Sequence, residues 1–271
     1  MAGDHREYEE PEERPRDKAI DAAAPRVLKI FEDFPTRVFY STQIETQLER
    51  EIFHWITNKA LLETANAGRI QRFPANVQGQ TVNFYTNSRH RYWRREHQRL
   101  IDLLDRIFNP EFTQAIGRHA EMMFDSAMSR HGFTMTSARN VKSWNGLTWT
   151  ETNHNLDRIC VRDSVAYGVE IKNTQNYIQR DELLTKIRLC KFLGLTPLFI
   201  MRYAPKSYMH EVNQAGGFGL LFENQMYPWG HSSLLSEVRD RLGLKVDSPR
   251  DIKDGDMIRL VNWHKKKHGS S

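Results

Sequence analysis

Two strand-like runs, Leu156–Arg162 and Val165–Lys172, are separated by only Asp163 and Ser164. This spacing constrains the chain more than any other feature. A two-residue connection forces antiparallel pairing, and Asp and Ser suit such a turn because they tolerate turn geometry and bond their own backbone. In the register this implies, opposed residues sum to 327, which puts Asp157 directly across from Glu170. Alternation along a strand places Glu170 and Lys172 on one face and Ile171 on the other. Carboxylates opposed in this way have Cβ atoms roughly 4.5–5.5 Å apart. At an effective dielectric of about 20 their repulsion is about 3 kcal/mol. A cation, a shared proton or the neighbouring lysine must offset it. Among these a divalent metal does so best, because oxygen-only donors suit Mg²⁺, with Mn²⁺ as a substitute.

The segments around the hairpin add to its meaning. Pro110–Arg130 carries Phe112, Ile116, Met123 and Ala127 at helical spacing, with Pro110 in the first turn, where a missing N–H costs nothing. Glu121 lies near the apolar edge of this helix, where an unpaired carboxylate is expensive. After the hairpin, Arg180–Leu193 reads as an amphipathic helix and Leu198–Arg202 as a short apolar strand. The order is helix with Glu, strand, strand with Asp, strand with Glu-x-Lys, helix, strand.

Over about 111–222 the chain resembles the PD-(D/E)xK nuclease superfamily. The resemblance implies a restriction-endonuclease-like α/β (α+β) fold, a mixed central β-sheet flanked by helices. It also implies a Mg²⁺-dependent endonuclease acting on DNA. Glu121 corresponds to the helical glutamate, Asp157 and Glu170 to the metal-binding acids, the Ile171 carbonyl to a further metal ligand and Lys172 to the catalytic lysine. Leu156 stands where a proline often precedes the aspartate. A non-catalytic DNA-binding protein built on the same scaffold, or an RNA-cleaving relative, would share these features. Such enzymes often cut both strands as dimers, so a homodimer is the default expectation.

Charge is unevenly spread. Residues 1–24 hold eight acids against four bases, so with a net charge of +5 overall the remainder carries about +9, which suits a polyanion partner. The acidic head, 1–24, is expected to be a disordered tail. Residues 25–108 are expected to form a mostly helical domain: Arg26–Phe34, then Thr46–Ala65 with Ser41 and Thr42 as cap, then strands Arg69–Phe73 and Thr81–Thr86 joined by a Pro-Ala-Asn-Val-Gln-Gly loop. That order loosely resembles a winged helix-turn-helix. Arg89, Arg91, Arg94, Arg95 and Arg99 follow, interleaved with Tyr92 and Trp93. Guanidinium groups bind phosphate in bidentate fashion, so Arg91, Arg95 and Arg99 (or Arg94) on one helical stripe would form a DNA track. The nuclease domain should occupy 109–243. The end, 244–271, with His264–His268, is expected to be a flexible basic tail.

Other chemistry has little support. Cys160 and Cys190 fall in a strand and a helix without ligand spacing and suit reduced core positions in a cytoplasmic protein. No apolar run of 18 or more residues exists, which excludes a membrane-spanning helix. His119 is expected to be a core or boundary residue and His154 a loop residue. Gln175, Tyr177, Gln179, Arg180 and Lys186 are weaker candidates for phosphate or water contacts.

Overall fold

The computed structural model describes residues 17–137 and 139–269. Asp17 opens the first helix, α1 (Lys18–Asp33), by accepting the Ala19 N–H. This helix starts well before the expected Arg26, and 17–24 are therefore not part of a tail; the rest of the acidic head lies outside the described residues. Ile20, Ala23, Val27, Leu28 and Phe31 form one buried stripe. Packing of that stripe outweighs the backbone bond that Pro25 cannot make.

The expected single helix at 46–65 is two helices. After β1 (Val38–Tyr40) come α2 (Ser41–Leu48) and α3 (His54–Asn66), with Tyr40 rather than Ser41 at the N-cap of α2. Neither Gly nor Pro breaks the run at 49–53. Distant side chains hold the break instead. The Tyr203 hydroxyl donates to the Glu49 carbonyl, and the His54 N–H donates to the Tyr177 hydroxyl at 2.9 Å.

The two strands that follow, β2 (Ile70–Val77) and β3 (Gln80–Asn87), are longer than expected. The presumed loop is strand, closed by Gln78 and Gly79 at φ 49° and 76°. Positive φ at both central residues makes this a type I′ turn. Pro74 is tolerated because β2 is the edge of a three-stranded sheet ordered β1-β3-β2. A helix, α4 (Trp93–Ile107), completes this half.

The second half begins with α5 (Pro110–Arg130), capped by the Asn109 side chain. Then come β4 (Thr134–Met135) and a small hairpin, β5 (Ser143–Trp144) and β6 (Leu147–Thr148), turning at Asn145-Gly146. The main elements are β7 (Arg158–Arg162), β8 (Val165–Lys172), α6 (Arg180–Phe192), β9 (Thr196–Met201), α7 (Lys206–Gln214) and β10 (Phe218–Leu221). They build a mixed sheet ordered β10-β9-β8-β7-β4. Strands β8, β9 and β10 run parallel to one another, while β7 pairs antiparallel with both β8 and β4. The architecture is mixed α/β, with helices flanking the sheets. Strand β4 is only a short edge of this sheet.

The chain ends with β11 (Gln225–Met226), α8 (Ser232–Leu242), β12 (Val246–Asp247) and α9 (Asp254–His268). The expected basic tail is thus largely a packed helix. Met257, Leu260 and His264 are buried on one face of α9, while Lys265, Lys266 and Lys267 occupy its last turn, where cations suit the helix dipole. Nor do the expected domain limits at 108/109 and 243/244 follow the cores. One cluster joins Phe84, Leu103 and Leu104 to Phe112 and Ile116 at the start of α5 and to Val238 and Leu244. The far half of α5, with Ala120, Phe124 and Ala127, packs on the large sheet. No helix among the described residues is long and apolar enough to cross a membrane.

Candidate active site

The hairpin that carries the site folds over 158–169 in the register read from the sequence, but the pairing stops there: Asp157 sits in a bend before β7 and does not pair with Glu170 as expected. Arg158 pairs with Val169 and Arg162 with Val165, and Asp163 and Ser164 have φ 47° and 64°, again the type I′ geometry that matches strand twist. One residue further, the Asp157 N–H donates to the Val169 carbonyl at 3.0 Å. Asp157 Oδ2 in turn accepts the Ile171 N–H at 2.7 Å. Its carboxylate thereby continues the ladder past the end of β7. The N–H and C=O of a strand residue leave on the same side, so the Ile171 carbonyl also faces Asp157.

Glu170 is buried, with 1% of its side chain exposed, and meets two lysines. Lys186 Nζ on α6 donates to Oε2 at 2.6 Å, and Lys172 Nζ lies 3.0 Å from Oε1. Lys172 also pairs with Glu182 at 2.8 Å. Despite both cations, burial and then the Asp157 charge push the Glu170 carboxyl up to about 7. Burial pulls Lys172 down, but Glu170 and Glu182 outweigh it and hold the ammonium above its usual range. Lys172 is therefore a fixed positive charge at neutral pH.

Glu121 projects from α5 towards the same strands. It is paired, not isolated: Arg139 Nε lies 2.9 Å and Arg158 Nη2 3.3 Å from its Oε2. Burial, then Asp157, nevertheless raise its pKa. Asp125, 3.1 Å from Arg158 Nε, is raised by burial as well. Glu121 and Asp157 line a cavity of about 350 Å³ with Gln114, Arg118, Arg139 and Asn140.

Whether these residues suit a divalent ion can be judged from their chemistry. Among the described residues, no group of three or more His, Cys, Asp or Glu side chains forms a ready-made metal cage. The donors are nevertheless hard oxygens, although Glu121 Oε2 already faces the guanidinium groups of Arg139 and Arg158. Asp157 raises the pKa of both Glu121 and Glu170. Glu121 and Asp157 offer the cavity oxygen donors of the type that suits Mg²⁺ or Mn²⁺, while both Glu170 oxygens are occupied by Lys172 and Lys186.

The arginines sit elsewhere. Arg94, Arg95 and Arg99 lie on α4, whereas Arg89 and Arg91 precede it, so the expected 91-95-99 helical stripe does not form. All five are exposed, and none forms an ion pair with a described residue. Trp93 packs inward on Phe73 with ring centroids 4.1 Å apart, while Tyr92 is 86% exposed.

Of the weaker candidates, Arg180 is tied to Glu211 and Gln175 to Gln225. His119 is buried with its ring edge-on to Trp229, and His154 contacts Thr152. Cys160 and Cys190 are buried free thiols that burial pushes up to about 12, too high for nucleophiles. Lys186, read from the sequence as an outlying phosphate contact, is instead a core partner of Glu170. A signal existed: it shares the buried face of α6 with Leu183, Leu189 and Cys190. Comparison with protein-family models, curated proteins and solved structures finds no match.

Proposed function

We propose that this protein is a divalent-metal-dependent nuclease that hydrolyses DNA phosphodiesters, in the manner of PD-(D/E)xK enzymes. The observation that carries this reading is the row at the end of β8. Asp157 is fixed by the Ile171 N–H, and the buried Glu170 holds Lys172 at 3.0 Å on its own face. The order α5, β4, β7, β8, α6, β9 around that row supports it. Asp157, Glu170, the Ile171 carbonyl and Glu121 would hold Mg²⁺, which supplies polarisation of the phosphate and a water of lowered pKa. Lys172 stays protonated between Glu170 and Glu182, so its role is to stabilise charge on a phosphate oxygen rather than to take a proton. Glu170 orients that lysine.

DNA would be held by the unpaired arginines Arg89, Arg91, Arg94, Arg95 and Arg99. The order α1-β1-α2-α3-β2-β3, with its β1-β3-β2 sheet, supports a winged-helix reading of the first half. Cutting both strands would call for a homodimer. A second reading, a non-catalytic DNA-binding scaffold, draws on one observation: both oxygens of Glu170 already carry lysines.

The test is nicking of supercoiled plasmid, linear duplex, single-stranded DNA and RNA in Mg²⁺ or EDTA. Lys172→Ala and Asp157→Ala are each expected to lower the rate by about 10²–10³-fold, the usual cost of removing one transition-state stabiliser, with unchanged thermal melting. Equal rates for wild type and both variants would refute the site. Tight DNA binding without cleavage would favour the scaffold.

A further inference from the structure

The row Glu170–Lys172 lies between two cavities of opposite character. The one beside Asp157 is lined by Glu121, Arg118 and Arg139. On the other side, between the first-half sheet and the loop after β8, runs a cleft of about 500 Å³. Among the described residues, its only charged lining residues are Lys172 and Glu182, which pair with each other. Helix α5 is the shared wall: Gln114 and Gly117 face the charged cavity, Thr113 and Ile116 the neutral one.

Some amides lining the cleft are committed to the fold. Asn173 bonds the Ile116 carbonyl and both backbone groups of Met226. Others are free. Gln80, Asn176 and Gln179 are exposed, and their side chains bond no described residue. Gln175 Oε1 is buried without a donor. The half-buried rings of Phe108 and Tyr177 also line the space. Uncharged amides cannot neutralise phosphate, but they match the donor and acceptor edges of bases, and aromatic faces stack on them. The volume falls within the roughly 300–1,000 Å³ of sites that enclose a small organic group.

Building on the nuclease reading, we infer that this cleft takes one unstacked nucleobase of the substrate strand, beside the phosphate that Lys172 contacts. The preferred substrate is then DNA with an unpaired nucleotide at the cut, not a continuous duplex. Gln80 and Gln179 are specificity residues that touch the base.

The experiment measures binding in EDTA by the full chain. The probes are a duplex with one unpaired 2-aminopurine and the same duplex fully paired. The bulged DNA should bind about tenfold more tightly, the worth of one good base contact, with a change in 2-aminopurine emission. Gln80→Ala/Gln179→Ala should lose that preference and keep wild-type affinity for the paired duplex. Equal affinity of wild type for the two DNAs overturns the inference, as does an unaltered preference in a double variant that melts like wild type. Free deoxynucleoside monophosphates form a further arm; if they saturate the cleft while the DNAs are not distinguished, a strand is not its occupant. The two readings fail separately. No cleavage in Mg²⁺ with the preference intact removes the nuclease and leaves the cleft; cleavage without preference removes the cleft alone.

Discussion

Two glutamates, one in each half of the molecule, are buried against cations at the same distance and behave in opposite ways. Glu49 accepts both Nη atoms of Arg202, at 2.9 and 2.6 Å, with 2% of its side chain exposed. Glu170 accepts Lys186 at 2.6 Å with 1% exposed. Burial pushes both carboxyls up. For Glu49 the bonds from Arg202, helped by His54, win and its pKa is lowered. For Glu170 the Asp157 charge adds to burial, two lysines fail to compensate, and the value rises to about 7. A planar fork that fills both oxygens makes a joint. A carboxylate left frustrated by a second carboxylate fits a working site. Glu49 is the joint: it ties the α2–α3 break to the end of β9.

The largest expected effect would break the joint. Arg202→Met should cost about 3–5 kcal/mol in urea unfolding, the usual penalty for stranding a buried charge. A loss under 1 kcal/mol would mean that Glu49 is not held by this pair. Next comes pH. Without divalent metal, Glu170 binds its proton more tightly folded than unfolded. Its contribution is complete below the ordinary 4.5 and is lost as pH rises to about 7, a swing of about 3 kcal/mol at 1.36 kcal/mol per unit. Glu49, being lowered, acts in reverse and loses its contribution as pH falls through its folded value. Glu170→Gln should flatten the stability decline between those limits; an identical pH profile would remove Glu170 from the comparison.

Metal should sharpen the contrast by a smaller amount. Mg²⁺ at a hundredfold excess over its Kd should stabilise the fold by about 2.7 kcal/mol, more at pH 8 than at pH 5. Asp157→Ala should abolish the gain, whereas Arg202→Met should keep it; a thermal midpoint indifferent to Mg²⁺ would argue against the metal site. The smallest effect belongs to a region outside both glutamates. Arg94→Glu with Arg95→Glu should leave stability unchanged and lower the slope of log affinity against log salt by about 2. An unchanged slope would take α4 out of the DNA interface.

How much was legible follows from where each determinant lies. Helix α5 carries its stripe and its Pro110 start locally, and it folds as read. So does the hairpin over 158–169, whose register needs only the Asp163-Ser164 turn. Misses occur where remote contacts decide. The α2–α3 break depends on Tyr177 and Tyr203, more than a hundred residues away. Pro74 reads as a loop until β2 is known to be an edge. In α1 the stripe from Ile20 was visible, but Pro25 hid it; in α9 the lysine run hid Met257, Leu260 and His264. At the site, two things needed the tertiary fold: the lysine of α6 closing on Glu170, and the offset of Asp157, whose N–H bonds the Val169 carbonyl in place of a pairing with Glu170.

The turn has one more partner. His264 of α9 lies 2.9 Å from Asp163 Oδ2 and also contacts the Tyr167 hydroxyl. That histidine is made 101 residues after the aspartate it meets. On a ribosome adding about 5–20 residues per second, the hairpin must wait on the order of 5–20 seconds for it. During that interval the strand alignment rests on the turn and on the ladder it starts, without α9. Asp163 and Ser164 therefore have to hold the strand alignment from birth, and α9 arrives to a hairpin already in step.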